Sequence, residues 1–198
     1  ISLVNDPAAS TYEALQAREC GTRVTMLDPN IRPGFIAGKE AEYRARIERM
    51  IARADIVKLS DEDLHWLMGE GDVSELARRV LALGPKIVFI TEGAAGARAV
   101  TATQNRFGAA TKVTVADTVG AGDCFFAGLL AAACPRPWRP TATTATRRSV
   151  PARSSTASAI ELAILLIKSM SPADVGSLSD FQRLWLPRAA WAFPEPEN

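Results

Sequence analysis

Apolar residues along this chain recur with two different periods, and the alternation between them sets the expected order of elements. Val24 to Leu27, Asp55 to Leu59 and Lys86 to Thr91 hold short apolar runs of the kind that form buried strands. Between the first two, Tyr43, Ile47, Met50, Ile51 and Ala54 return at helical spacing and predict an amphipathic helix running to about Arg53. Upstream, Ile1 to Val4 reads as the end of a strand. Asp6-Pro7 then supplies an N-cap and a first-turn proline for a helix near Ala8 to Glu19, ended by Gly21. Leu64, Trp66 and Leu67 mark a short helix. Asp72-Val73-Ser74-Glu75 is a capping-box pattern opening a helix whose buried face carries Val73, Leu76, Ala77 and Val80, and Gly84-Pro85 stops it. Ala97 to Thr101 and Arg106 to Ala110 read as a hairpin around Gln104-Asn105, Val113 to Val115 as one more strand, and Gly120 to Ala133 as a helix.

Strands alternating with amphipathic helices predict right-handed β-α-β units, hence an α/β fold with a largely parallel sheet covered on both faces. Ligands of such sheets collect at the carboxyl ends of the strands. Two irregular junctions fall there: Asp28-Pro29-Asn30 with Pro33-Gly34, and the turn at Ser60.

A chain of 198 residues, 47% apolar, can bury one substantial core. Its 23 basic and 22 acidic residues nearly cancel, which leaves no overall field to hold a nucleic-acid backbone or an anionic membrane. Cys20, Cys124 and Cys134 are odd in number and in no C-x-x-C spacing, which argues against a disulfide framework or a zinc site and fits a reducing cytoplasm. The most apolar run, Ala159 to Ile167, is far shorter than the ~20 residues of a membrane span and contains Glu161. The start has no basic n-region or cleavage site, and Ile1 opens directly on an apolar stretch, so an amino-terminal truncation is expected. Pro135 to Ser158 is rich in Arg, Pro, Thr, Ser and Ala and cannot build core. It reads as a long surface loop, and also resembles translation of a GC-rich gene in a shifted frame. G-x-x-x-x-G-K-[S/T], H-E-x-x-H and G-x-S-x-G are all missing, so P-loop, zinc-protease and α/β-hydrolase chemistry are unsupported.

The segment with the strongest chemical content is Asp117-Thr118-Val119-Gly120-Ala121-Gly122-Asp123, between an expected strand and an apolar helix. Two glycines let backbone approach a ligand closely, and the free N–H groups and macrodipole of a first helical turn seat negative charge, phosphate above all. A carboxylate at Asp123 in that same turn can take the proton of an incoming hydroxyl. This stretch resembles the D-T-x-G-A-G-D signature of the ribokinase-like, or pfkB, carbohydrate kinases. The resemblance implies a three-layer α/β/α fold, incomplete here at the amino-terminal side. It also implies Asp123 as catalytic base and an anion hole of Gly120, Ala121, Gly122 and Asp123, with Thr118 beside ATP. Asp117 would position the turn or contribute to metal or monovalent-cation (K⁺) binding.

Three further segments follow the order that the resemblance implies. Lys58-Leu59-Ser60-Asp61-Glu62-Asp63 lies where the family has an N-x-x-E motif that helps hold Mg²⁺ through water; Ser60 and Asp63 take those spacings, and either Glu62 or Asp63 would face the metal. A solvated acidic helix start is the plainer alternative. Thr91-Glu92-Gly93-Ala94-Ala95-Gly96 is similar to the T-x-G-x-x-G turn, which would place Thr91, Gly93 and Gly96, with Lys58 and Ser60, near ATP; an ordinary hairpin entry would look the same. Asp28-Pro29-Asn30-Ile31-Arg32-Pro33 resembles the D-x-N-x-R-P loop of fructokinase-like and 2-keto-3-deoxygluconate kinase-like members, with Asn30 and Arg32 as substrate or phosphate clamps. His65 is expected to be structural.

The expected organisation is a nucleotide-binding and catalytic part over 1–133, an irregular segment over 134–158, and a carboxy-terminal helix and tail over 159–198. The implied activity is transfer of the ATP γ-phosphoryl group to a sugar hydroxyl, with fructose preferred and 2-keto-3-deoxygluconate or ribose as alternatives. ATP, Mg²⁺ and K⁺ are the implied cofactors, and a homodimer of the full-length form the implied assembly. The competing expectation is a non-catalytic nucleotide- or phosphate-binding fragment, because the family's sugar site and lid come largely from a part with no counterpart here.

Overall fold

The computed structural model describes residues 2–112 and 119–133. The expected strand at Val113 to Val115, the expected site residues Asp117 and Thr118, and the segments 134–158 and 159–198 lie outside the described residues. The elements run α1 (Ala8–Glu19), β1 (Met26–Leu27), α2 (Pro33–Ile36), α3 (Glu40–Arg53), β2 (Ile56–Ser60), α4 (Asp61–Met68), α5 (Val73–Leu81), β3 (Ile87–Thr91), β4 (Gly96–Val100), β5 (Asn105–Ala109) and α6 (Ala121–Ala133).

The five described strands form one sheet in the order β1-β2-β3-β4-β5. β1, β2 and β3 are parallel, with Leu27 opposite Val57 and Ser60 opposite Thr91. β4 and β5 then run antiparallel, as the expected hairpin. The described part of the sheet is therefore mixed: α-helical connections carry the chain back to the start of β2 and of β3, whereas the short turn after Thr91 can only reverse it.

Alternation along the strands sorts side chains onto two faces. Val57 and Leu59 of β2 and Val88 and Ile90 of β3 point to the face covered by α3, α4 and α5, where Ile47, Ile51, Leu64, Leu76 and Val80 close the larger core. Ile56, Ile87 and Phe89 point to the opposite face and pack against Phe125 and Leu129 of α6. The Phe89 and Phe125 rings meet edge to face with centroids 6.2 Å apart. Burying Phe125 and Leu129 contributes roughly 1.5 to 3 kcal/mol each and fixes where the start of α6 lies.

Two local expectations are corrected. Residues 2–4 form turns, not a strand, because the Leu3 carbonyl accepts from Nη1 of the buried Arg46 at 3.1 Å and Val4 inserts into the larger core. The loop after Asp28 contains the short helix α2, opened by Pro33 in its first turn and pinned by buried Ile31 and Ile36. Helix α1 has little apolar face; Glu13 holds it to α3 through Arg46 (3.3 Å) and Arg49 (2.7 Å).

Candidate functional site

The carboxyl ends of β1, β2 and β3 lie side by side, and on the face that α6 covers their character changes from apolar to polar. Met26, Ile56 and Ile87 occupy the amino-terminal row on this face. Further along, the same alternation places Asp28, Lys58 opposite Phe89, and then Ser60 opposite Thr91. The Lys58 side chain is only 6% exposed, and its ammonium donates to Asp28 Oδ2 at 3.0 Å. It reaches the start of α6: a Cβ built on Gly122 would sit 3.0 Å from Lys58 Nζ.

That helix start has the backbone an anion seat needs. Gly120 takes a left-handed φ of 77°, open to any side chain only at a conformational cost, and its carbonyl accepts the first helical bond from Cys124 N at 2.9 Å. The amides of the following turn are left without intrahelical acceptors. Asp123 is exposed and, among the described residues, its carboxylate enters no hydrogen bond or ion pair. Ala121 and Gly122 are half-buried.

Ser60 and Asp63 form a reciprocal capping box at the start of α4. Asp63 N donates to Ser60 Oγ at 3.0 Å, and Ser60 N donates to Asp63 Oδ2 at 3.4 Å. The other Asp63 oxygen accepts from Ile31 N at 3.0 Å, so this buried carboxylate ties the 28–33 loop to the end of β2. Replacing Asp63 by Ala strands the Ile31 amide and removes half of the capping box. We expect a loss of about 2 to 3 kcal/mol in urea unfolding, with Asp63→Asn recovering part of it. Glu62, by contrast, is exposed. Among the described residues no cluster of three His, Cys, Asp or Glu side chains is placed to hold a metal ion.

The 28–33 loop holds the remaining expected clamp residues. Asn30 is exposed with a left-handed φ of 48°. Arg32 is exposed, and its Nη1 donates to the neighbouring Ile31 carbonyl at 2.8 Å. Beneath them the Tyr43 hydroxyl donates to the Pro29 carbonyl at 3.4 Å; burial, aided by the negative charge of Asp63, pushes this phenol up to about 12. Thr91 Oγ1 donates to the Leu59 carbonyl at 3.4 Å, and Glu92 N donates to the Gly96 carbonyl at 2.8 Å, closing the turn into β4. Gly93 is exposed at φ 55° with open space around it. Gly96 is buried in the hairpin, where a Cβ would lie 2.1 Å from the Gly108 carbonyl oxygen. Its need for glycine is met by that strand contact. His65 lies between the Asp61 and Gly71 carbonyls, with Nδ1 2.7 Å from the first and Nε2 3.3 Å from the second.

Sequence reasoning passed over Asp28 as a member of this group. The available signal was Lys58, a charge in an otherwise apolar strand and in phase with Ile56, which requires a buried counter-charge. Burial raises the Asp28 carboxyl above its ordinary value, against the pull of the Lys58 ammonium and with a push from Asp63.

An α/β sheet with helices on both faces and a charged, glycine-lined crevice at its parallel strand ends defines the class of protein. Residues 2–135 match the pfkB family carbohydrate kinases, and the chain belongs to that family. It is 53% identical over 131 residues to a fructokinase of Rhizobium leguminosarum bv. trifolii, an alignment covering 66% of this chain and 40% of that protein. Among solved structures, fructokinase from Vibrio cholerae O395 in its fructose, ADP and calcium ion bound form superposes with a TM-score of 0.64 at 25% identity, over 92% of this chain and 57% of the other. Aminoimidazole riboside kinase from Salmonella enterica gives 0.65 at 25% identity, over 93% and 59%. The fold is accordingly the three-layer ribokinase-like one. Among the described residues no helix is long and apolar enough to cross a membrane.

Proposed function

We propose that this chain carries the nucleotide-binding and catalytic part of an ATP-dependent sugar kinase acting on fructose. The observation that carries the reading is the start of α6, where a left-handed Gly120, the first-turn amides and the exposed Asp123 carboxylate share one turn and the Lys58 ammonium lies against Gly122. Asp123 takes the proton of the sugar hydroxyl, and the hydroxyl oxygen attacks the γ-phosphorus in line as the bond to the ADP oxygen breaks. Charge gathering on the transferring phosphoryl group is met by the amides of Gly120, Ala121, Gly122 and Asp123 and by the helix dipole. Thr91, Gly93 and Ser60, at the neighbouring strand ends, border the remaining phosphates. Asn30 and Arg32 face the acceptor side from the 28–33 loop, where the guanidinium fork can grip two oxygens.

The fructokinase relative at 53% identity supports fructose, and the Vibrio cholerae structure, named for bound fructose, ADP and calcium, supports a nucleotide accompanied by a cation. Mg²⁺ would come with the nucleotide phosphates, with Glu62 the exposed carboxylate of the α4 start nearest the solvent. The free Cys20 and Cys124 thiols suit a reducing, cytoplasmic setting.

The test is ADP release in a coupled assay over a panel of fructose, ribose and 2-keto-3-deoxygluconate, beside calorimetric titration with an ATP analogue. Fructose-dependent turnover is expected. Binding without turnover on any sugar would favour the non-catalytic phosphate-binding fragment, which the 40% share of the relative's length keeps in view.

Gly122 gives a sharper check. Its replacement by Ala gains up to about 1 kcal/mol of helix propensity, yet presses on the Lys58 ammonium and on the seat above it. Gly122→Ala is expected to melt no lower than the native chain while binding ADP about tenfold more weakly, as read by calorimetry.

A further inference from the structure

We propose that Asp28 is a positioning residue of the phosphate seat, clamping the Lys58 ammonium beneath the first turn of α6 at Gly122. The inference rests on the kinase reading above and adds to it the group that holds the cation in place. Three observations carry it. The Lys58 side chain is 6% exposed, and its Nζ lies 3.0 Å from Asp28 Oδ2 and at the same distance from the position of a Gly122 Cβ. The second Asp28 oxygen, Oδ1, is buried and has no hydrogen-bond partner. Both side chains also stand on the face of the sheet that otherwise buries α6 with apolar residues.

For stability alone this arrangement is a poor choice. An ion pair taken out of water gains little over well-packed apolar residues of the same volume. Here the cation is moreover pressed against the positive end of a helix dipole, which repels it. The placement becomes favourable once an anion lies on the far side of Gly122, because the helix amides and the ammonium then act on one charge from two directions. Glycine at 122 allows that approach without displacing the ammonium, which a Cβ at 3.0 Å would push aside. Asp28 makes the seat tolerable by neutralising the ammonium, and by accepting from Nζ it fixes where the charge points. With Asp28 removed, the buried ammonium loses its counter-charge and the anchor at 3.0 Å that holds it under Gly122, and the seat loses a fixed lower cation.

The experiment is calorimetric titration of the native chain and of Asp28→Asn, Asp28→Glu and the double variant Asp28→Asn/Lys58→Met, with ADP, inorganic sulfate and adenosine as separate probes. Thermal unfolding is followed alongside. We expect Asp28→Asn to weaken ADP and sulfate binding about tenfold, Asp28→Glu to recover part of that, and adenosine binding to stay as it was. The double variant leaves no lone buried charge, so it folds even if Asp28→Asn does not, and it should show the same loss. A folded double variant that binds ADP and sulfate as tightly as the native chain, or a rise in their affinity on Asp28→Asn, would overturn the proposal while leaving the kinase reading intact. Equal losses for adenosine and for the anions would also overturn it, since a displaced charge cannot weaken an uncharged ligand. If the native chain binds neither ADP nor sulfate, the kinase reading and the clamp fall together.

Discussion

Replacing Asp123 by Asn is expected to lower fructose-dependent ADP release by about 10² to 10⁴, the usual contribution of a positioned general base. The substitution keeps the shape of the side chain and removes only its basicity. Asp123 is exposed and, among the described residues, supports no other group through hydrogen bonds, so the fold has no stake in its charge beyond the helix-dipole term of about 0.3 to 1 kcal/mol. ADP should therefore bind Asp123→Asn nearly as it binds the native chain, and the unfolding transition should move little. The effect belongs to kcat. Asp123→Glu retains a base on a longer arm and should fall between the two. Turnover of Asp123→Asn at the native rate would remove the carboxylate from the chemistry and leave the α6 start as an anion seat alone.

Much of this architecture is legible in the residues because burial and period agree. Ile87 to Ile90 is an unbroken apolar run closed by a polar turn, and it forms a strand buried on both faces. Val73, Leu76, Ala77 and Val80 share one side of α5 as their spacing demands. Gly120 to Asp123 stands out in the sequence for a different reason: a backbone that is to serve as the proposed phosphate seat tolerates few sequences. What stays hidden in the sequence is contact between elements far apart along the chain. Asp28 and Lys58 meet because β1 and β2 are neighbours in parallel register, 30 residues apart, and nothing local to Asp28 distinguishes it from a loop carboxylate. Asp63 has the spacing of a metal-site residue, yet its oxygens accept from the Ile31 and Ser60 amides, which only the packing of the 28–33 loop reveals. Leu3 and Val4 fail as a strand because Arg46, over forty positions on, competes for the carbonyl that a neighbouring strand would have used.

Glycine substitutions separate residues that serve the crevice from those that serve the sheet, and Gly96 should show the largest stability effect of any change in the Thr91 to Gly96 turn. A Cβ at position 96 would lie 2.1 Å from the Gly108 carbonyl oxygen and 3.0 Å from Ala109 Cα and Ala110 N. All three are backbone atoms of the paired strand or of the residue just beyond it, so the overlap is relieved only by parting β4 from β5. Its φ of 141° adds a conformation that side chains rarely accept. Backbone strain of about 1 to 3 kcal/mol and overpacking of similar size together give an expected destabilisation of about 3 to 5 kcal/mol for Gly96→Ala in urea unfolding. Gly93 supplies the control within the same turn. Its φ of 55° is left-handed but the surrounding space is empty, so Gly93→Ala should cost only about 1 to 2 kcal/mol. A Gly96→Ala chain unfolding within about 1 kcal/mol of the native one would mean that the strands yield at Gly108, and the hairpin could not then be what holds the turn after Thr91 against the crevice. If the expected loss appears, the conformation of Thr91 and Gly93, the residues proposed to border the phosphates, is set by a backbone contact between two antiparallel strands, outside the seat itself.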